Sequence, residues 1–145
     1  MKLTIFLSFS FVLLGLVSCS NKPLNIAGGG QRLTEIKRIS SPDNKVDAVL
    51  VESGGGATVA NGHEVFLVLP GKKITDIPSD YSCFTADHTR KPDIEWTQNK
   101  RLLISYDKAR IFRFTNFWHS DSLDNWNYII ELKLKPNDST GQLIE

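Results

Sequence analysis

Short segments in which apolar and polar residues alternate recur along this 145-residue chain, and this pattern restricts its fold more than any other feature. A period of two sends successive side chains to opposite faces of a strand. Such strands, separated by short turns, predict an all-β domain built as a single antiparallel sandwich or barrel-like meander of about seven strands. The clearest apolar series lies in WNYIIELKLK and consists of Tyr128, Ile130, Leu132 and Leu134.

The other strand predictions rest on shorter patterns. DIEWT and LLISY place apolar residues at every second position, and KVDAVLVE does the same with Val46, Ala48 and Leu50. In HEVFLVLP, residues 65–69 are apolar throughout, which predicts a strand covered on both faces. LTEIKRI is also predicted as a strand, although its apolar residues fall at 33, 36 and 39, a spacing nearer to that of a helix.

Turn residues separate these segments. In SPDNK at 41–45, Pro42 pre-sets the backbone for a type I turn and Asn44 tolerates the left-handed conformation. The glycine-rich GGGATVANG at 54–62 precedes a predicted strand rather than a helix N-terminus, so we interpret it as a hairpin connection and not as a phosphate cradle. One long connection is expected, from Pro70 to Pro92, with one or two helical turns within residues 79–87.

The N-terminus has the features of a secretory signal peptide. Lys2 supplies a positive charge, and residues 5–17 form an uncharged run of apolar or small side chains. This run is too short for a permanent anchor, because a helix needs about 20 apolar residues to cross a bilayer. LVSC at 16–19 resembles a bacterial lipobox, and the resemblance implies cleavage after Ser18 and lipidation of Cys19. Ordinary secretion and a buried N-terminal helix are the alternatives.

This interpretation divides the chain into a signal peptide at 1–18, a lipidated N-terminus with a flexible tether at 19–32, and an all-β domain at 33–145. Two or more acyl chains anchor a protein stably, so the expected partner of acylated Cys19 is the lipid bilayer. The tether has a typical end-to-end distance of about 20 Å. The residue after Cys19 is Ser20 rather than Asp, which by the same resemblance implies the outer membrane, facing the periplasm, if the host has two membranes.

Charge and cysteine content narrow the range of possible functions further. The chain has 17 basic and 16 acidic residues, and loss of Lys2 with the signal peptide leaves 16 of each. A neutral chain without blocks of like charge has no electrostatic footprint for nucleic acid. Once Cys19 is lipidated only Cys83 remains, so an intramolecular disulfide is excluded and the fold must depend on its apolar core.

The long connection contains the candidates for catalysis. A thiolate nucleophile needs a neighbouring base and a group that orients the base, and Cys83, His88 and either Asp87 or Asp80 have the required chemistry. No flanking motif of a known cysteine enzyme accompanies them, and free cysteines are among the most buried residues. We therefore predict a buried Cys83 and assign no catalytic residue.

Metal binding lacks a sequence motif. Zinc sites need three or four converging ligands, and neither HExxH nor CxxC spacing occurs in this chain. We predict no metal site and no cofactor. The scattered candidate ligands are His63, Glu64, Asp87, His88, His119 and Asp121.

Aromatic residues are densest in RIFRFTNFWHSDSLDNWNY at 110–128. Alternation places Phe112 and Phe114 on one face of a strand, and most of this segment is expected in the core. Aromatic faces also stack on apolar ligand surfaces, so residues near the polar turn at 119–125 are candidates for a sugar or peptide platform. These candidates are Phe117, Trp118 and Trp126.

Three motifs together resemble a group of uncharacterised bacterial envelope proteins that share an SPDGK turn, a GGAT loop and a closing aromatic run. The matching stretches are SPDNKVDAVL at 41–50, GGAT at 55–58 and ARIFRFTNFW at 109–118, and Asn44 stands where that turn usually has Gly. The resemblance implies a place in the cell envelope but no particular activity.

These observations predict a membrane-anchored envelope lipoprotein that acts as a non-catalytic binding or assembly module for an envelope protein or glycan. Two alternatives remain open. One is a periplasmic hydrolase that uses the Cys83 and His88 connection, and the other is an inhibitor or immunity protein that binds an enzyme. A deep pocket at Cys83 and His88 would favour the hydrolase, whereas an exposed patch would favour a protein partner.

Overall fold

The structure, a computed structural model, describes residues 33–54 and 61–137. Within these residues the chain forms nine strands and no α-helix, which confirms the predicted all-β sandwich and adds two strands to the expected seven. The predicted signal peptide, Cys19, the tether and the GGAT loop lie outside the described residues. None of the helical turns in the described part is long and apolar enough to cross a membrane.

Two sheets make up the sandwich. The five-stranded sheet contains, in spatial order, β1 (Leu33–Ser40), β2 (Asp47–Ser53), β3 (Gly62–Val68), β4 (Phe84–Arg90) and β7 (Lys108–Phe114). The four-stranded sheet contains, in spatial order, β5 (Asp93–Gln98), β6 (Arg101–Tyr106), β9 (Ile130–Pro136) and β8 (Phe117–Trp118). Neighbouring strands are antiparallel except β6 and β9, which run parallel because the chain crosses through β7 and β8 between them.

The main core lies between the two sheets. Every second residue of β5, β6 and β9 points into it, as the alternation predicts, and Val46, Ala48 and Leu50 meet them from the other sheet. Tyr128, just before β9, is 1% exposed and belongs to the same core. The apolar series read from the sequence therefore form the inner faces of the sandwich.

A second, smaller core covers the outer face of the five-stranded sheet. Phe66 and Val68 of β3 pack there with Val49 and Val51 of β2, and Ile74 of a 3₁₀ turn at Ile74–Asp76 closes over them. Strands β2 and β3 are thus buried on both faces, which confirms the interpretation of the apolar run in HEVFLVLP.

The helix-like spacing in LTEIKRI has a structural cause. The segment is a strand, as predicted, but its register with β2 shifts at a bulge between Glu35 and Lys37. Before the bulge Leu33 packs on the second core, and after it Ile39 packs on the main core. An extra residue moves the following side chains to the other face of the sheet, so the apolar residues do not keep a period of two.

The prediction of one long connection from Pro70 to Pro92 was wrong. The connection contains 3₁₀ turns at Ile74–Asp76 and Ser79–Tyr81 and ends at Phe84, where β4 begins. Strand β4 pairs with both β3 and β7. Its alternation is short and includes the small Ala86, which gives only a weak strand signal.

The expected placement of Phe112 and Phe114 on one buried face was also wrong. Phe114 lies opposite Phe84 and packs against the main core, whereas Phe112 is 62% exposed. A bulge in β7, between the pairs Thr85–Arg113 and Ala86–Ile111, inserts Phe112 as the extra residue. The guanidinium of Arg110 lies 5.2 Å from the centre of the exposed Phe112 ring.

The SPDNK turn reverses the chain as predicted, and Asn44 takes the left-handed conformation with φ of 56°. The Ser41 hydroxyl donates to the Asp43 carboxylate at 2.8 Å and accepts the backbone N–H groups of Lys45 and Val46, each at 3.1 Å. The hydroxyl of Tyr128 donates to the other Asp43 oxygen at 2.7 Å. This contact ties the turn to the segment that precedes β9.

Candidate functional site

Exposed apolar side chains concentrate on one side of the sandwich. Strand β7 is the edge of one sheet and β8 is the edge of the other, and only Thr115 and Asn116 separate them along the chain. Large exposed apolar surfaces on a soluble domain mark interaction sites more often than chance would give. Of the seven large exposed apolar residues in the described part, five belong to this region: Ile111, Phe112, Phe117, Trp126 and Ile129.

The opposite side of the sandwich is closed. The ammonium of Lys37 on β1 donates to the Asp93 carboxylate at 2.6 Å and to the Ile94 carbonyl at 2.9 Å, both on β5. The indole N–H of Trp96 donates to the Ile39 carbonyl at 3.2 Å. Polar contacts between the two edge strands protect this side, although Ile36 of β1 is 50% exposed. Most of the large exposed apolar side chains in the described part therefore lie on the β7 and β8 side.

Three rings form a cluster on the open side, which we call the aromatic cluster: Phe117, His119 and Trp126. The His119 ring packs edge-on against Phe117, with centroids 5.5 Å apart, and against Trp126, with centroids 4.9 Å apart. Phe117 is 48% exposed and Trp126 is 50% exposed. Edge-to-face packing at these distances is favourable, so the histidine holds the two apolar rings together.

The structure brings together two of the three predicted platform residues. Trp118 lies opposite the buried Ile130 and packs against the main core, whereas its neighbour Phe117 lies opposite Glu131 and points outward. His119 was not expected in this role, since its residue type was weighed only as a metal ligand. Its spacing of two from Phe117 is the signal that could have placed both rings on one face.

An unusual backbone conformation presents Trp126. Asp124, Asn125 and Trp126 have φ values of 48°, 47° and 72°, in the left-handed region. Asp and Asn enter this region readily, but a bulky residue such as Trp seldom does. Strain of this kind concentrates at functional sites and persists only where other contacts enforce it.

Several contacts hold the loop in this shape. The backbone N–H groups of Leu123 and Trp126 both donate to the Ser120 carbonyl at 3.2 Å, and the Leu123 side chain packs against the main core. The Asn127 side-chain amide donates to the Asp124 carbonyl at 2.9 Å. The loop is therefore anchored at both ends, and Trp126 is fixed in its exposed position.

Charged side chains flank the aromatic cluster on the outer face of the four-stranded sheet. Pairing aligns Phe117 on β8, Glu131 on β9 and Arg101 on β6 in one row across the strands. Arg101 Nε donates to one Glu131 oxygen at 2.6 Å, and Lys133 Nζ lies 3.4 Å from the other. The hydrogen bond from Arg101 lowers the pKa of the Glu131 carboxyl, which is therefore ionised at neutral pH.

The candidate catalytic residues do not meet. Cys83 precedes β4 and His88 lies near its other end, so the two residues are five positions apart, or about 16 Å along the strand. Cys83 is 3% exposed, and burial raises the pKa of its thiol to about 12. His88 is exposed, and its Nδ1 lies 3.0 Å from the carboxylate of Asp87.

Asp87 also binds Arg110. Two nitrogens of Arg110 donate to its two carboxylate oxygens, at 2.8 and 2.5 Å. This fork of hydrogen bonds holds the pKa of Asp87 well below its usual range. Asp80 contacts β7 instead, where its carbonyl accepts a hydrogen bond from Arg113 at 2.6 Å. Asp87 thus contacts both His88 and Arg110, but this contact does not bring His88 within reach of the buried Cys83.

Reaction with a thiol reagent should test the state of Cys83. We expect slow alkylation of the native protein at pH 8, because the thiol is buried and its raised pKa leaves little thiolate, and rapid alkylation in denaturant. Mass spectrometry of time points with and without denaturant measures both rates. Rapid alkylation of the native protein, with a rate whose pH midpoint lies well below about 8.5, would instead show an activated thiolate and favour the hydrolase alternative.

The candidate metal ligands are dispersed. His63 and Glu64 follow one another on β3 and so point to opposite faces of the sheet. His119 belongs to the aromatic cluster, and Asp121 accepts hydrogen bonds from Ser120 and Ser122. Within residues 33–54 and 61–137, no three His, Cys, Asp or Glu side chains come together as a metal site would require.

A cleft of about 390 Å³ lies elsewhere, on the outer face of the five-stranded sheet beside residues 71–75. Arg38 crosses it and donates to Glu35 at 2.9 Å, to Asp47 at 3.1 Å and to the Lys72 carbonyl at 3.2 Å. Because the protein itself supplies these partners, we interpret this network as structural.

Comparison with protein-family models, curated proteins and solved structures finds no match to this chain.

Proposed function

We propose that this chain is a lipid-anchored, non-catalytic binding module of the bacterial cell envelope and that the aromatic cluster is its binding site. The observation that carries the proposal is that Phe117 and Trp126 are half exposed, that both pack against His119, and that a left-handed loop fixes Trp126 in this position. Apolar rings kept in solvent contribute little to folding, so binding is the more economical explanation of their position.

The anchor rests on the sequence. LVSC at 16–19 follows a signal-peptide pattern, and lipidation of Cys19 would hold the domain at the membrane, facing the periplasm of a host with two membranes. The tether at 19–32 would then leave the domain free to turn its aromatic cluster toward a partner.

The buried position and raised pKa of Cys83, together with its distance from His88, support a non-catalytic role. A second candidate function has one observation in its favour. Ile111 and Phe112 are exposed on β7, an edge strand of the kind that other chains can pair with. This edge would suit an inhibitor or immunity protein that binds an enzyme.

Metabolic labelling tests the anchor. Cells that express the full chain should incorporate radiolabelled fatty acid into the protein, and Cys19→Ser should abolish the signal, because the thiol is the site of acylation. Cys83→Ser is the matched control and should retain the label. Labelling that survives Cys19→Ser would contradict the anchor assignment.

A pull-down from detergent-solubilised envelopes of the source organism tests the site, with the lipidated chain as bait. We expect an envelope component to be retained by the native chain and lost from the double variant Phe117→Ala, Trp126→Ala, whose melting temperature should change little because both side chains are half exposed.

Tyr81→Ala is the control, since Tyr81 is 67% exposed and lies outside the cluster, and it should retain the component. If only Phe112→Ala fails to retain the component, the result would favour binding through the β7 edge and the inhibitor function. Retention by the double variant, or no component retained by the native chain, would contradict the proposed site.

A further inference from the structure

The aromatic cluster and the neighbouring charged row lie side by side and form one exposed surface. Phe117 and Arg101 lie two strand spacings apart in one row, about 10 Å, with Glu131 between them. Trp126 extends the surface beyond the sheet edge through its contact with His119. Apolar rings therefore occupy one part of the surface and hydrogen-bonding groups occupy the part beside it.

The polar part of this surface has unused donors. Within the described residues Arg101 donates only from Nε, so its two terminal nitrogens are free to bind a ligand. Glu131 is half exposed, and its carboxylate oxygens can accept further hydrogen bonds. A guanidinium and a carboxylate held together in this way can donate to and accept from neighbouring hydroxyl groups of one ligand.

The exposure and chemistry of the surface favour some classes of ligand over others. A nucleic acid strand would need a groove of several cations, whereas here Glu131 partly neutralises Arg101 and Lys133. A lipid tail would need a deep apolar pocket, but the cluster is open and the described cleft lies on the other sheet. A pyranose ring with equatorial hydroxyls combines a flat C–H face with a polar rim, which matches rings beside charged side chains.

We propose that the aromatic cluster, with Arg101 and Glu131, binds a β-1,4-linked gluco-configured oligosaccharide. One sugar ring stacks on Phe117 or Trp126, and the hydroxyls of the adjoining sugar bond to Arg101 and Glu131. The β-1,4 linkage keeps such a chain flat and extended, which suits the straight row from Phe117 through Glu131 to Arg101 across three strands, and a disaccharide spans the distance from Phe117 to Arg101. This inference rests on the proposed function, because it names the ligand class of the same site.

Titration calorimetry of the detergent-solubilised full chain with cellotetraose tests the inference. Its α-1,4-linked isomer maltotetraose is the matched control ligand, since it has the same sugars in a curved chain. We expect saturable binding of cellotetraose and at least about tenfold weaker binding of maltotetraose. The indole N–H signal of Trp126 in nuclear magnetic resonance spectra should shift during the cellotetraose titration.

Single substitutions test which side chains contact the oligosaccharide. Trp126→Ala and Phe117→Ala should each weaken cellotetraose binding about tenfold, the loss expected for one stacked ring. Arg101→Ala should weaken it to a similar extent, and Arg101→Lys should not restore it, because a lysine lacks the forked donors. Tyr81→Ala should leave the dissociation constant unchanged.

Absence of saturable cellotetraose binding up to about 10 mM would overturn the inference. So would equal affinity for the two tetrasaccharides, or binding that Trp126→Ala and Phe117→Ala leave unchanged. Failure of the proposed function can be distinguished from failure of the ligand class. If cellotetraose does not bind but the envelope pull-down depends on Phe117 and Trp126, the binding module stands and only the ligand class is wrong.

Discussion

Phe84→Ala should lower the free energy of unfolding by about 3–5 kcal/mol. Phe84 is fully buried, lies opposite Phe114 across the β4 and β7 pair, and stacks against Tyr106 with centroids 6.2 Å apart. Truncation leaves a cavity between the sheets that rigid strands cannot fill. Because a domain of this size is stable by about 5–15 kcal/mol, this loss threatens the fold at physiological temperature.

Denaturant unfolding followed by tryptophan fluorescence measures the effect, and Phe112→Ala is the matched control. The same substitution at Phe112 should change the free energy of unfolding by less than about 0.5 kcal/mol, because the β7 bulge leaves this ring 62% exposed. Equal losses for the two variants would mean that the bulge is misplaced and that both rings are buried.

Tyr128→Phe should lower the free energy of unfolding by about 1.5–3 kcal/mol, the range for a hydrogen bond to a charged group. The substitution removes only the hydroxyl, which donates to the Asp43 carboxylate at 2.7 Å and joins the SPDNK turn to the segment before β9. The ring stays in the core, and the ammonium groups of Lys45 and Lys100 lie 4.9 and 4.4 Å from its centre.

Alkaline pH provides a second measurement of the same contact. Burial, then the hydrogen bond to Asp43 and the charge of that carboxylate, raise the pKa of Tyr128 to about 12, whereas an unfolded tyrosine ionises near pH 10. The neutral phenol therefore stabilises the native state fully below about pH 10, and this contribution is lost as the pH rises through about 12. The stability difference between the native chain and Tyr128→Phe should shrink over that interval.

Comparison with the variant cancels the titration of the two lysines, since both proteins contain them. Tyr106→Phe is the control, because the Tyr106 hydroxyl makes no side-chain hydrogen bond to residues in the described part, and it should cost less than about 0.5 kcal/mol. A Tyr128→Phe variant as stable as the native chain at pH 7 would exclude a stabilising role for the Asp43 contact.

The two proposals place the function on exposed side chains that the fold does not need. The stability variants act on Phe84 and Tyr128, while the binding variants act on Phe117 and Trp126, so loss of folding and loss of binding can be separated in the same protein. A variant such as Trp126→Ala that keeps its melting temperature and loses its ligand would establish that separation directly.

Alternation along the chain was sufficient to predict the fold class and most inner faces. Whether a side chain points up or down in a strand depends on its position in the local sequence, and burial of one face requires apolar residues at that period. The series in β5, β6 and β9 therefore pointed to the core correctly, and Asn44 marked its turn because few residues tolerate a positive φ.

The strand register, and the convergence of distant side chains at the candidate site, were decided only in the tertiary structure. The bulges in β1 and β7 arise from pairing with neighbouring strands, and each inserts an extra residue that changes which face the side chains around it occupy. Phe112 is the extra residue in β7, so it lies outside the core in which it was expected. Trp126 reaches His119, and so lies near Phe117, because a left-handed loop turns the chain back. Arg101 joins them because β6 pairs with the distant β9. Contacts between residues far apart in sequence depend on strand order and loop conformation, and a period of two contains information about neither.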